Sequence, residues 1–183
     1  MKLKPKEKIL ESALTLFCQH GFHATGIDTI LAHSKVAKTT LYRHFRSKEE
    51  LIVAVLRRRD GDFRNWLMHA VDKSDLVPEE KLLMIFDMHK QWAQQPDFNG
   101  CAFVKASAEY PAFDSLIHVV SVEHKKAMAR YVEKILKDAK KDNADLLSLQ
   151  VMLLIDGATV SAQMHGDSTV FDQAKAVAKA LVS

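Results

Sequence analysis

The segment Gly21–Leu51, GFHATGIDTILAHSKVAKTTLYRHFRSKEEL, decides the fold of this chain. Its apolar residues recur at helical spacing on both sides of an interruption at Ser34-Lys35-Val36. These apolar residues are Ile27, Ile30, Leu31, Leu41 and Phe45. The spacing predicts two short helices that share one small core and are joined by a tight turn, which is the arrangement of a helix-turn-helix.

The outer face of the second helix is polar and basic. It carries Lys38, Thr39, Thr40, Tyr42, Arg43 and His44. Lys and Arg neutralise phosphates, whereas Thr, Tyr and His donate to phosphate oxygens or reach base edges in a major groove. A solvated, mildly basic surface helix is the alternative interpretation. The turn spacing and the apolar anchors favour a helix that reads DNA.

We expect seven residues to contact DNA: Lys38, Thr39, Thr40, Tyr42 and His44 on the recognition helix, with Thr25 and Lys48 as phosphate anchors at helix N-termini. The spacing also predicts that Thr25 caps the second helix, whether or not a phosphate shares the site. Ser47 and Glu50 have capping-box spacing, which predicts the start of a fourth helix.

The segments Thr25–Ile27 and Lys35–Leu51 resemble the N-terminal DNA-binding signature of the TetR/AcrR family of transcriptional regulators. The resemblance implies a three-helix domain that reads DNA and a larger helical domain that dimerises and binds a small-molecule inducer. It also implies a base or phosphate contact for Lys38, a phosphate contact for Tyr42 and a backbone contact for Lys48.

His44 departs from the tyrosine that is commoner at this position of the family pattern. A neutral histidine still donates one hydrogen bond, so the contact is expected to persist but to be weaker or pH-sensitive.

Charge is divided unequally along the chain. Residues 1–60 hold 12 Lys and Arg against 6 Asp and Glu, whereas residues 61–183 hold 14 against 17. The positive field therefore coincides with the helix-turn-helix. This placement favours a DNA partner, because counterion release needs a local basic face.

Composition argues against several other classes of protein. With 183 residues, 48% of them hydrophobic, and with 6 Gly and 4 Pro, the chain is expected to be soluble and mostly helical. It has no uncharged apolar run long enough for a membrane span and no signal-peptide pattern, so the cytoplasm is the expected compartment. The 2 cysteines and 9 histidines have no metal-ligand spacing, and we expect no metal and no cofactor.

Periodicity and loop signals predict an all-α fold of about nine helices. Residues 1–47 are assigned to a three-helix helix-turn-helix DNA-binding domain. Residues 48–183 are assigned to a helical effector-binding and dimerisation domain, with a helix over 48–70 connecting the two.

The last two helices are predicted over about 144–165 and 168–182. The first is apolar nearly all round and must be covered on most sides, and the second offers small apolar residues that allow close approach. We expect these helices to form a four-helix bundle across the two-fold axis of a homodimer, as the resemblance also implies. An internal core helix is the alternative.

Cys101 is a candidate sensor because it follows Gly100 at the predicted N-terminus of a short helix, where the helix dipole stabilises a thiolate. Lys105 lies one turn further on. The segment 100–109 is similar to the electrophile-sensing NemR branch of the same family, in which the matching cysteine senses quinones, aldehydes and hypochlorite. A lysine that engages the oxidised cysteine in that branch corresponds to Gln163 here. A small buried apolar role is the alternative for Cys101.

A reversible apolar effector is the competing input. Aromatic and methionine side chains with a few polar neighbours are candidates to line a pocket between helices, although a simple core is the alternative for each of them. The candidates that we retain are Trp92, Phe103, Glu109, Tyr110 and His118.

These observations favour a DNA-binding transcriptional regulator, a repressor that binds a pseudo-palindromic operator as a dimer and is released by a small-molecule or electrophile effector. A ligand-insensitive architectural DNA-binding protein is the alternative. An enzyme is the least favoured class, since the sequence has no phosphate loop, nucleophile elbow or carboxylate pair with catalytic spacing.

Overall fold

The structure is a computed structural model that describes residues 3–182. Within that range every regular element is an α-helix, which confirms the all-α prediction. The helices are α1 (Pro5–His20), α2 (Ile27–Ser34), α3 (Lys38–His44), α4 (Lys48–Asp72), α5 (Pro78–Ala93), α6 (Ala102–Glu109), α7 (Leu116–Asp138), α8 (Ala144–His165) and α9 (Val170–Leu181).

Local signals set the helix ends. Pro5 occupies the first turn of α1, and Gly21 ends that helix with a φ of 90°, a backbone conformation that favours glycine. The backbone N–H of Glu50 donates to the Ser47 hydroxyl at 3.2 Å, as the predicted capping box requires. The Glu50 carboxylate accepts from the backbone N–H of Arg46 at 2.7 Å, so it secures the chain just before α4.

The described chain divides into two compact units. The first contains the residues up to Asp62 together with Ala102–His124, and the second contains Phe63–Cys101 together with the residues from Lys125 on. This division differs from the predicted boundary at 47/48. The beginning of α4, the whole of α6 and the beginning of α7 belong with the helix-turn-helix because they bond to it directly, as the contacts of Arg58 and Glu109 described below illustrate.

The first unit has a core in which α1 supports both α2 and α3. Ile9, Ala13 and Phe17 of α1 are fully buried, as are Ile30 of α2 and Leu41 of α3. This confirms the small shared core expected from the apolar spacing. Arg58 of α4 adds ion pairs to α1 at 2.9 Å from Glu7 and 3.2 Å from Glu11.

The second unit is built on α5, α8 and α9, which pack against one another. Its largest fully buried side chains include Phe86 of α5 and Phe171 of α9, and α8 contributes Val151 and Ile155. The hydroxyl of Tyr131 on α7 donates to Asp72 at 2.9 Å at the end of α4.

Helix α8 buries only one of its apolar sides. Leu153 is 73% exposed and Met164 is 72% exposed, although both lie on a helix that also carries buried core residues. By length and composition α8 could cross a membrane, and 39% of the residues in its apolar window are buried. The apolar surface predicted from the sequence is therefore present and is uncovered along one side within the single chain.

Candidate DNA-binding site and sensor cysteine

Helix α3 displays almost its whole surface to solvent. Leu41 is its one buried residue, and Phe45, which follows the helix, is also buried. Of the predicted DNA contacts on α3, Lys38, Thr39 and Tyr42 are exposed, whereas Thr40 and His44 are half-buried. A helix held by so few apolar anchors leaves its polar side chains available to a DNA groove.

The turn between α2 and α3 is closed by backbone geometry. Lys35 adopts a left-handed conformation with a φ of 56°, and its N–H donates to the carbonyl of Leu31 at 2.9 Å. Ala37 then lies in extended conformation at the start of α3. Residues 35–37 therefore reverse the chain in a short distance, which gives the tight turn that a helix-turn-helix needs.

Two predicted DNA-contacting lysines already have protein partners. The Lys38 ammonium lies 3.3 Å from the Asp28 carboxylate, and both side chains are exposed. The Lys48 ammonium donates to the backbone carbonyl of His23 at 3.0 Å. Exposed pairs of this kind are weak in water, so DNA phosphates can compete for both ammonium groups.

The predicted role of Thr25 as a helix cap is wrong. Gly26, not Thr25, is the N-cap residue of α2, and no side chain caps this end. The Thr25 side chain is buried, and its hydroxyl donates to the carbonyls of Gly21 at 2.7 Å and Leu16 at 3.3 Å. Its hydroxyl therefore holds the end of α1 and does not face a phosphate.

The C-terminal part of α6 binds the turn between α1 and α2, in a set of contacts that we call the α6 clamp. The Glu109 carboxylate accepts from the backbone N–H groups of Phe22 at 2.8 Å and His23 at 2.6 Å. The His23 ring stacks on Tyr110 with a centroid separation of 4.4 Å. Lys105 donates to the carbonyl of Cys18 at 2.9 Å.

The α6 clamp gives Lys105, Glu109 and Tyr110 contacts other than those expected. Lys105 was expected near Cys101, and Glu109 and Tyr110 were expected to line a pocket, but Lys105 and Glu109 bond to backbone groups of the α1–α2 region and the Tyr110 ring stacks on His23. Burial, followed by the charges of Glu49 and Glu109, raises the pKa of Tyr110, so its hydroxyl stays protonated at neutral pH. These residues therefore link α6 to the DNA-binding elements.

Cys101 has a different lysine neighbour from the one expected. Its lysine neighbour is Lys125 of α7, whose pKa Cys101 affects and whose ammonium donates to the carboxylate of Asp156 on α8. Burial would lower the pKa of Lys125, but the charges and hydrogen bonds of Cys101 and Asp156 outweigh it and raise that pKa. Lys125 therefore remains an ammonium beside a half-buried thiol.

Gln163 lies against the residue that precedes the sensor candidate. A Cβ atom added to Gly100 would lie 2.1 Å from the Gln163 side-chain oxygen, and Gly100 has a φ of 77°. Both the close approach and the backbone conformation require glycine here. The amide of Gln163 therefore lies against the residue that directly precedes Cys101.

The remaining effector candidates fall in both units. In the first unit, Phe103 is buried and stacks on His124 at a centroid separation of 3.7 Å, and His118 hydrogen-bonds the Tyr110 carbonyl at 3.1 Å. In the second unit, Trp92 packs edge-on against Phe63 and Phe98. The contacts of Phe103 and Trp92 are those of packed core aromatics.

The sequence interpretation missed Lys125 and Asp156. Both look like ordinary charged residues on amphipathic helices, and each is more than twenty residues from Cys101 along the chain. The one available signal was that Asp156 interrupts the long apolar run of α8, since a charge there needs a partner.

Comparison with known proteins agrees with the geometry of the N-terminal helices. Residues 9–55 match the model of the family "Bacterial regulatory proteins, tetR family". The chain is 30% identical over 105 residues to the HTH-type transcriptional repressor NemR of Escherichia coli, a match that covers 57% of this chain and 53% of that protein. It is 47% identical over 53 residues to the HTH-type transcriptional regulator RutR of Escherichia coli, covering 29% of this chain and 25% of that protein.

The fold is shared over a much longer stretch. A TetR-family transcriptional regulator from Streptomyces coelicolor superposes with a TM-score of 0.91 at 26% identity, covering 97% of this chain and 94% of the other. The sequence match to NemR, by contrast, spans about half the length of that relative. Residues 9–55 thus match the N-terminal domain of the tetR family of bacterial regulatory proteins, and the chain shares its overall architecture with a TetR-family regulator.

Proposed function

We propose that this protein is a cytoplasmic transcriptional repressor that binds a pseudo-palindromic operator as a homodimer. The observation that carries the proposal is the outward polar face of α3, held by Leu41 and Phe45 inside the family-matched segment. The family and the matched relatives are regulators and not enzymes, in line with the function class favoured by the sequence.

DNA contact is assigned to the exposed side of α3 and to the start of α4. Lys38, Thr39, Thr40, Tyr42 and His44 enter the major groove, and Lys48 contacts the phosphate backbone. Arg43 joins them because it is exposed on the same short helix. Two such helices of a dimer read half-sites about one helical turn of DNA apart, on the order of 34 Å.

The dimer interface is assigned to α8 and α9, as predicted for the helices over about 144–165 and 168–182. Their uncovered apolar residues are Leu146, Leu149, Leu153, Val160, Met164, Val177 and Leu181. An apolar stripe of this length on a protein in water is typical of an interface between subunits. The two helices also pack against each other.

The regulatory input is assigned to Cys101, with an electrophile as the effector and a reversible small molecule as the competing input. Support comes from the position of the thiol before α6 and from the neighbouring Lys125 ammonium, whose pKa Cys101 affects. Helix α6 ends in the α6 clamp, which holds the turn between α1 and α2. A chemical modification of Cys101 would thus lie one residue before α6, the helix that binds the α1–α2 turn.

The test is fluorescence-anisotropy binding of the full-length protein to DNA from upstream of its own gene, with scrambled competitor, before and after treatment with a quinone. We expect tight, competitor-resistant binding that the quinone reverses. Equal binding to scrambled DNA would instead favour the architectural alternative. Specific binding that is indifferent to the quinone would move the input to a reversible ligand.

Substitutions of Cys101 and Lys125 distinguish the role of the thiol from the role of the neighbouring ammonium. Cys101→Ser is expected to bind DNA as tightly as the unmodified protein and to lose quinone-induced release. Lys125→Met is expected to slow the release, because the neighbouring ammonium is removed while the thiol remains. Cys18→Ser is the matched control and should respond like the unmodified protein. A fully responsive Cys101→Ser variant would exclude Cys101 as the sensor.

A further inference from the structure

A cavity of about 500 Å³ lies in the first unit, between the first turns of α4 and the start of α7. We call it the α4–α7 cavity. Its apolar walls are Val53, Leu116 and Ile117, and its charged residues are Glu49, Glu50 and Arg57. The volume is within the usual range for small-molecule sites, about 300–1,000 Å³. None of its residues belongs to the predicted effector set.

The carboxylates at one end of the cavity are both charged, and one is already engaged. Glu50 accepts from the backbone N–H of Arg46. The backbone N–H of Glu49, followed by the Ser47 side chain, holds the pKa of Glu49 below its usual value, so its carboxylate is charged at neutral pH. This end of the cavity therefore repels an anion, and its Glu50 carboxylate already accepts a hydrogen bond from the protein.

The cation at the other end is available. The neighbouring Arg58 makes ion pairs with Glu7 and Glu11, but in the part of the chain that the structure describes the exposed Arg57 guanidinium has no ion pair or hydrogen bond. A guanidinium presents a planar set of donors that matches a carboxylate. Arg57 is thus the group in the cavity that lacks a counterpart.

The apolar wall also lacks a cover. Leu116 lies in the cavity and is 65% exposed, although α7 begins at this residue and its neighbour Ile117 is buried. Glu49 and Arg57 are eight residues apart on α4, a span of about 12 Å at 1.5 Å per residue. The cavity therefore offers an apolar strip of limited length with a cation at one end and fixed negative charges at the other.

We propose that the α4–α7 cavity binds a small amphipathic carboxylic acid, with its carboxylate on Arg57 and its apolar body against Val53, Leu116 and Ile117. The negative end of the cavity orients the ligand, because the reversed pose would bring two like charges together. The bound acid lies on the first turns of α4, immediately after the capping residue Ser47. It therefore binds the same unit that contains α3.

The test uses 2-naphthoate as the anionic probe and 2-naphthalenemethanol as its neutral counterpart, with binding to the full-length protein measured by titration calorimetry. We expect the anion to bind more tightly than the alcohol. Arg57→Gln is expected to weaken naphthoate binding roughly three- to tenfold, since charge pairing at a partly open site is screened, and to leave the alcohol unchanged. Arg130→Gln, which removes an exposed arginine of α7 in the second unit, is the matched control and should change neither affinity.

A second variant tests the apolar wall. Leu116→Asp should abolish binding of both probes, and because this side chain is exposed, the unfolding temperature should stay within a few degrees of the unmodified value. Naphthoate binding that survives Leu116→Asp, equal affinity for the two probes, or an Arg57→Gln variant with unchanged naphthoate affinity would overturn the proposal. The readout contains no DNA, so its result is independent of operator binding.

Discussion

At the scale of single residues, DNA recognition depends on side chains that contribute little to stability. Tyr42 is 45% exposed, and Lys38 makes only an exposed pair with Asp28. The buried anchors Leu41 and Phe45 supply the packing instead. Binding and folding are therefore separable in α3, which makes this helix suitable for substitution.

Tyr42→Phe is expected to weaken operator binding by roughly ten- to a hundredfold, because removing the hydroxyl removes one hydrogen bond to a charged phosphate, worth about 1.5–3 kcal/mol. The exposed ring keeps its size, so the unfolding temperature should not change. Anisotropy at physiological salt and thermal unfolding measure the two effects. Unchanged affinity would remove Tyr42 from the set of contacts.

Lys38→Gln is expected to reduce the slope of log affinity against log salt concentration by about 1, since one phosphate contact is lost. The lost pair with Asp28 should change the free energy of unfolding by less than about 1 kcal/mol. Lys126→Gln on the exposed side of α7 is the control with the same charge change. An identical salt slope in Lys38→Gln and in the unmodified protein would contradict a phosphate contact.

At the scale of elements, α6 has an unexpected role. It is short, yet its Lys105 and Glu109 hold the end of α1 and the following turn, and Gly21 lies so close that an added Cβ would meet the Glu109 carboxylate at 3.1 Å. The helix that follows the candidate sensor Cys101 in the chain therefore binds the helix-turn-helix through hydrogen bonds to its backbone.

Glu109→Gln tests the α6 clamp. A glutamine side chain has one acceptor oxygen where the carboxylate has two, so one of the N–H groups of Phe22 and His23 loses its partner. We expect the free energy of unfolding to fall by about 1–3 kcal/mol and the exchange of these two amide hydrogens to become faster. Glu123→Gln, an exposed change on α7, is the control. Amide exchange at Phe22 and His23 that matches the unmodified protein would refute the clamp.

At the scale of the whole molecule, the uncovered side of α8 is the proposed dimer interface. Leu153→Lys should convert a dimer into a monomer, since a charge at the centre of an apolar interface stays unpaired. The side chain is 73% exposed within one chain, so the monomer should keep its helix content. Light scattering and circular dichroism measure both. Leu76→Lys, in the loop before α5, is the control, and a dimeric Leu153→Lys variant would move the interface elsewhere.

A monomer of this kind also tests the DNA geometry. One recognition helix reaches only one half-site, so Leu153→Lys should bind the full operator much more weakly than the unmodified protein while keeping its affinity for a single half-site. Equal loss on full and half operators would indicate damage to the helix-turn-helix and not to the assembly.

The sequence by itself determined the elements. Apolar spacing and capping residues are local properties, so the start of α4, the limits of α8 and the outward face of α3 follow from residues close together in the chain. The basic first third and the TetR-like signature are local in the same sense. For this reason the fold class and the DNA-binding helix could be predicted from the sequence.

Only the tertiary structure decided the partners. The hydroxyl of Thr25 bonds back to α1 and does not cap α2, Cys101 meets Lys125 and not Lys105, and Glu109 binds the α1–α2 turn. The Thr25 partners lie only four and nine residues away, whereas the neighbour of Cys101 is on α7 and the partners of Glu109 lie 86 and 87 residues away in the α1–α2 turn. The packing of α6 and α7 sets the partners of Cys101 and Glu109, because a hydrogen bond requires a donor and an acceptor about 3 Å apart and does not depend on their separation along the chain.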